Sequence, residues 1–397
     1  MLVLKNCKMI PELVEGYQGD TADILIEDGR IKKISACGEP VLEEACVYDM
    51  EGKYTLPGFI DMHVHLTLSG GDTLIDNMKT PVQQALDAVK FAKDTLMAGF
   101  TTIRDVGSCD NVAIDLRHAI DEGKLVGPNI IASGKIITPT EAGNDFFEWL
   151  YTEADGEEEI RKAVRQEMKK GADFIKIMGT GAVMNPGGAP GQPIYTLEEL
   201  KAVVNAAKFK DTYVATHCHG TQAIKHSVIA GVRTIEHASI LDDEAIEMLK
   251  GNENTFIVPT LNVVHGLVDS VPESSTFMKA KAKMVMEAIK VGIQKAYDEG
   301  LLLGFGTDQG ATPLLHGGNG DEFVLRKEFW DMETIDIIKQ ATVNSAIILG
   351  REQDYGTIKE GKVADLVGIG GDPLADISRL RHNVDVVVKD GEIVKGK

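Results

Sequence analysis

Positive charge is scarce in this sequence of 397 residues: 41 lysines and arginines stand against 61 aspartates and glutamates, a net charge of −20. That balance excludes a nucleic-acid partner, whose phosphates require a basic surface. Cysteine is sparse too. Cys7, Cys37, Cys46, Cys109 and Cys218 are odd in number, scattered and without a CxxC pair, which excludes a disulfide framework and a structural zinc finger. No apolar run approaches the roughly 18 residues needed to cross a membrane. The opening MLVLKNCKMIPELVEG lacks the apolar stretch of a signal peptide. The expectation is a cytoplasmic protein with a small-molecule substrate, no nucleic-acid or membrane partner, and self-association left open.

What is present suits a large soluble enzyme: 43% hydrophobic and 26% charged residues, enough for a core that stands without disulfides. Residues 1–57 read as short strands around the turns EDGR and MEGK, and the last forty or so repeat that grammar in GTIKEGKVADLVGIG and VDVVVKDGEIVKG. Both ends share a DG turn before an apolar strand, so both are expected to build one small module. Between them, apolar strands alternate with amphipathic helices. Strands are expected at Gly58–His65, Thr101–Asp105, Asn129–Ser133, Phe174–Met178, Tyr213–His217, Thr234–His237, Thr255–Pro259 and Leu302–Thr307. Eight such units favour a (β/α)8 TIM barrel over residues 58–350, with a discontinuous β-sandwich from 1–57 and 351–397.

The ten histidines are not placed at random. His63 and His65, in GFIDMHVHL, lie two apart at the end of the first barrel strand, so both imidazoles face the same side and can converge on one ion. His217 ends the fifth strand, His237 the sixth, and Asp308 follows the eighth in GFGTDQG. All lie where a barrel builds its active site. Lys176 interrupts the apolar fourth strand ADFIKIMG at the same end. A buried ammonium there would cost several kcal/mol and repel a cation. Conversion of its amine to a carbamate by carbon dioxide makes it an anion instead. Two divalent ions bring about +4, Asp308 offsets one charge, and a bridging carbamate and hydroxide leave the cluster near about +1.

This set, with the phrases LPGFIDMHVHL, AGFTTIRDVG, GVRTIEHAS, GTDQG and GTIKEGKVADLV, resembles the binuclear metal-dependent amidohydrolase superfamily. The branch is the one of prolidase-type dipeptidases, Xaa-Arg/Lys carboxypeptidases and imidazolonepropionase-like enzymes, and the resemblance covers essentially the whole chain. It implies two divalent metal ions, zinc being the first choice. His63, His65 and Asp308 would hold the more buried ion and His217 and His237 the second, with carboxylated Lys176 bridging both. A bridging hydroxide would attack an amide carbonyl, and Asp308 would shuttle its proton to the leaving nitrogen. His219, in HCHG, would bind the substrate carbonyl or a carboxylate, and His316, in HGGNGDEF, is a weaker candidate for substrate contact.

Specificity is expected in three long loops, residues 134–155, 179–195 and 261–275. The first, containing TPTEAGNDFFEWLY, lacks the histidine that relatives cleaving dipeptides carry there, and their tyrosine after strand five is missing too. Phe146, Phe147 and Trp149 could wall an apolar substrate or merely pack the loop. Arg104 and Asp105 are expected to form an internal pair. The expected activity is cleavage of a C–N bond in a dipeptide or N-acyl amino acid. The alternatives are hydrolysis of a cyclic amide, deamination, which Lys176 disfavours, and a dead barrel kept as a scaffold, which the full ligand set disfavours.

Overall fold

The computed structural model describes residues 1–38, 45–270 and 276–396. Strands Leu2–Lys8, Thr21–Glu27, Arg30–Ser35, Cys46–Asp49 and Tyr54–Pro57 from the front of the chain join Leu366–Ile369, Val384–Lys389 and Glu392–Lys395 from its end in one eight-stranded sheet. The seam between the two ends is antiparallel, Tyr54 opposite Ile369 and Pro57 opposite Leu366. The shared DG phrase has a physical basis. Asp28 and Gly29 have φ of 50° and 75°, and Asp390 and Gly391 have 49° and 79°. Two successive left-handed residues suit the tight hairpin turn that Asp-Gly favours. The two turns pack backbone to backbone: a Cβ on Gly391 would lie 2.9 Å from the Gly29 Cα. Leu4, Ile24, Ile26, Ile31, Leu366, Val386 and Val388 fill the core of this module.

The central region carries parallel strands. Phe59–Val64, Phe100–Asp105 and Asn129–Ala132 form a three-stranded sheet, and Tyr151–Glu153, Ile136–Thr138, Ile175–Met178, Val214–Cys218, Thr234–His237 and Phe256–Val258 a six-stranded one, in that order. The helices between them start and stop as their sequences demand. Thr80 and Thr196 close capping boxes with Gln83 and Glu199, while Gly171 and Gly231 end theirs in the left-handed conformation.

Three sequence expectations need correction here. The third strand does not stop at Ser133. After a break around Gly134, at φ 72°, it resumes as Ile136–Thr138. Its first half pairs with Phe100–Asp105 and its second half, through Ile137, with Ile177. The supposed loop 134–155 therefore contains this strand, a short 3-10 turn at Asn144–Phe147 and the strand Tyr151–Glu153. The stretch Leu302–Thr307 forms no ladder. It is held by isolated bonds on both sides, Gly304 N–H to Ile257 O at 2.9 Å and Met62 N–H to Phe305 O at 2.8 Å, and Gly304 and Gly306 supply no side chains to pack. Finally, much of 261–275 is the helix Leu261–Asp269; 271–275 lie outside the described residues. Its apolar Val263, Val264 and Leu267 recur at helical spacing, and the Glu322 carboxylate accepts from the Leu261 and Asn262 N–H groups at its start.

Candidate metal centre

The expected ligands meet in two groups. His63, His65 and Asp308 have ligand atoms within 4.8 Å of one another, as have His217, His219 and His237, and all six are buried. The Asp308 Oδ1 lies 3.5 Å from His63 Nε2 and 3.4 Å from His65 Nε2. The groups adjoin: the His63 and His237 ring centroids are 4.8 Å apart. His219, expected as a substrate contact, falls beside the His217–His237 pair.

Four of the five imidazoles are held from behind by a side chain or a carbonyl. His63 Nδ1 lies 2.9 Å from Glu236 Oε2, His65 Nδ1 2.8 Å from Gly107 O, His219 Nδ1 2.9 Å from Ser239 Oγ and His237 Nδ1 2.6 Å from Thr260 Oγ1. Anchoring one ring nitrogen leaves the other to bind an ion. Accordingly the Nε2 atoms of His217 and His237 are buried without a hydrogen-bond partner among the described residues. An orphaned buried polar atom is costly, and a cation in that position removes the cost. Burial, together with neighbouring positive groups, holds His65, His217 and His237 well below the usual imidazole range. They are thus neutral, the form that ligates. This donor set of imidazole nitrogens and a carboxylate fits a pair of divalent ions.

The backbone is bent to serve the site. Alternation along Thr234–His237 puts Thr234 and Glu236 on one face and would turn His237 away. His237 has φ 69° and Ala238 48°, and Asp308 has 63°. A left-handed non-glycine residue costs about 1–3 kcal/mol, and here it brings successive residues, Glu236 and His237, to the same centre.

Lys176 lines the same cavity and is 1% exposed, and its ammonium has no hydrogen bond or ion pair among the described residues. Burial brings its pKa down to about 8, against the pull of Glu236 and Asp308. Behind it stands a buried ion pair that sequence reasoning missed. Arg104 donates to Glu236 Oε1 at 2.7 Å, to Thr234 Oγ1 at 3.0 Å and to Met62 O at 2.7 Å. Burial would raise the Glu236 carboxyl, but Arg104, His63 and Lys176 together bring it down to about 2. The expected Arg104–Asp105 pair does not form, because consecutive strand residues face opposite ways. Asp105 instead accepts from Leu66 N–H, Gly107 N–H and the Ser108 hydroxyl.

These candidate ligands floor a cleft whose walls are apolar, among them Ile136, Phe147, Leu150, Met178, Val264 and Leu267. Of the three aromatics singled out in the sequence, Phe147 lines the cleft; Phe146 and Trp149 pack behind it. Leu150 and Tyr151 were missed, as were the helix residues Val263, Val264 and Leu267, whose apolar spacing was the available signal. His316 is not among the lining residues. Its Nε2 lies 2.8 Å from Leu68 O and its ring stacks on Phe91 at 4.5 Å.

Residues 54–394 match the amidohydrolase family. The ochratoxinase of Aspergillus niger is 29% identical over 380 residues, covering 86% of this chain and 75% of that protein. A solved Xaa-Pro dipeptidase with methionine in its active site superposes with a TM-score of 0.90 at 35% identity, over 100% of each chain. A prolidase complexed with N-methylphosphonate-L-proline gives 0.87 at 29% identity, again over 100% of each. The chain belongs to the amidohydrolase family and is an enzyme that hydrolyses carbon–nitrogen bonds.

Proposed function

We propose that this enzyme cleaves the amide bond of a dipeptide or N-acyl amino acid bearing an apolar side group, using two divalent ions held at the tips of a (β/α)8 barrel. The observation that carries this reading is the opening of both ligand groups and Lys176 onto one apolar cleft. The dipeptidase and ochratoxinase relatives support amide substrates. In the same reading residues 58–350 are the catalytic barrel, and 1–57 with 351–397 form the accessory sandwich.

His63, His65 and Asp308 would hold one ion and His217 and His237 the other. Lys176, as a carbamate, would offer an anionic ligand to both: its ammonium sheds one proton, the neutral amine nitrogen bonds to the carbon of CO₂ and a second proton leaves that nitrogen, so a buried cation becomes an anion with two oxygens. The ions, zinc by the match to nitrogen and oxygen donors, would supply water of lowered pKa and polarise the carbonyl. Asp308 takes the proton of the attacking water and delivers it to the departing nitrogen. His219, tied to Ser239 through Nδ1, offers Nε2 to the substrate carbonyl or carboxylate. The apolar walls bind the side group and exclude bulk water.

The test is a panel of apolar dipeptides, N-acyl amino acids and cyclic amides, assayed on protein of measured metal content. Turnover of the first two classes is expected. Turnover confined to cyclic amides would overturn the substrate assignment.

A further inference from the structure

Above the ligand floor the cleft walls carry a single side-chain hydroxyl. Among the lining residues other than the five histidines, Lys176 and Asp308, all are hydrocarbon or thioether side chains except Tyr151. Tyr151 is 8% exposed, and among the described residues its hydroxyl has no hydrogen-bond partner. A hydroxyl that opens onto a cleft is normally partnered by water, and a substrate that displaces the water must offer it a new partner.

The ring is fixed while the hydroxyl is free. Tyr151 opens the strand Tyr151–Glu153, in register with Ile136, and its ring packs 5.6 Å from that of Phe147 and within the cluster of Met178 and Ala182. The chain before it is tied by Leu150 N–H to Phe147 O at 2.8 Å and by Ile136 N–H to Leu150 O at 3.1 Å. Burial raises the phenol's pKa, so it is a neutral donor, and it lines the same cleft as Asp308. The space between is where the substrate's reacting carbon would sit.

From this geometry we infer that Tyr151 is a substrate-contacting residue, its hydroxyl donating a hydrogen bond to the amide carbonyl oxygen as that oxygen becomes tetrahedral. The inference rests on the amide-hydrolysis reading above. Water oxygen bonds to the carbonyl carbon, the π pair moves onto the carbonyl oxygen, and the phenol stabilises that oxygen. When the pair returns, the C–N bond breaks, and the nitrogen receives the proton that Asp308 took from water. Carboxylic acid and amine leave. A fixed donor aimed at developing charge needs no reorganisation at the moment of reaction.

Tyr151→Phe tests this, because it keeps the ring and its packing on Phe147 and removes only the oxygen. Two measurements are made on metal-loaded wild-type and variant protein: affinity for methylphosphonate, a small tetrahedral anion, and turnover of N-acetyl-L-methionine and Leu-Phe. Methylphosphonate is expected to bind roughly tenfold more weakly to the variant, and kcat to fall roughly 100-fold with a much smaller change in KM, at unchanged metal content and melting temperature. Equal methylphosphonate affinity in the two proteins, or none in the wild type, would overturn the role of Tyr151 whatever the turnover. A loss confined to KM would also overturn it, by assigning the hydroxyl to ground-state binding. If neither substrate is cleaved yet methylphosphonate binding weakens in the variant, the role stands and the substrate assignment fails.

Discussion

Glu236 sits between His63 and Arg104, one carboxylate oxygen 2.9 Å from His63 Nδ1 and the other 2.7 Å from an Arg104 guanidinium nitrogen. The pair fixes which nitrogen of His63 faces the cleft. Glu236→Gln keeps the shape but weakens the hold on the ring, and the metal affinity of the His63–His65–Asp308 group is expected to fall about 10- to 100-fold. Competition with a chelator measures it. Arg104→Met instead strands a buried carboxylate, and stability should drop by about 3–5 kcal/mol, read from urea unfolding.

Lys176→Ala removes the side chain that stands among both ligand groups. The expected result is loss of bound metal and of nearly all turnover, with partial recovery when short carboxylic acids are added. Elemental analysis and kinetics together check this, and a variant with full metal content and full turnover would refute the carbamate.

Asp308→Asn preserves volume and one ligand oxygen while abolishing proton transfer. Fold and much of the metal should persist, while kcat falls by at least about 100-fold. An unchanged kcat removes Asp308 as the proton carrier.

Glu15 reports on the union of the two chain ends. Its carboxylate accepts from Lys359 Nζ and from the Thr357 hydroxyl, each at 2.6 Å, and these bonds hold its pKa down at about 2 against an ordinary 4.5. A folded-state pKa below the unfolded one stabilises the fold above about pH 4.5, and that contribution is lost as pH falls toward 2. Glu15 is partly exposed, so the effect is modest, under about 1 kcal/mol. Urea midpoints of wild type and Glu15→Gln should differ at pH 6 and converge by pH 2–3.

The clustering of the candidate ligands was legible in the sequence because metal chemistry restricts residue type and a strand restricts spacing: His63 with His65, and His217, His237 and Asp308 after apolar stretches, admit few other arrangements. The DG turns were legible for the same reason, since few residue pairs tolerate two positive φ values in succession. What escaped depends on partners distant in sequence. Nothing local to Arg104 reveals that it bonds Glu236, 132 positions away, rather than its neighbour Asp105. Tyr151 was passed over because only its pairing with Ile136 and its packing on Phe147 place it in the cleft wall. The split third strand was hidden because one run of sequence serves two sheets, and a break at Gly134 looks like the end of a strand.

The resumed strand at Ile136–Thr138, with Tyr151–Glu153 along its edge, separates two tasks within the cleft. Groups suited to ion binding stand at strand ends or, for Asp308, after the extended stretch Leu302–Thr307, whereas much of the lipophilic lining comes from the insert after the third strand and from the helix Leu261–Asp269. Exchanges at Phe147, Leu150 or Val264 can therefore alter which molecules gain entry while the chemistry below stays constant. Such a division lets one catalytic apparatus acquire new selectivities by small steps, each testable as a shift in preference without a change in metal stoichiometry.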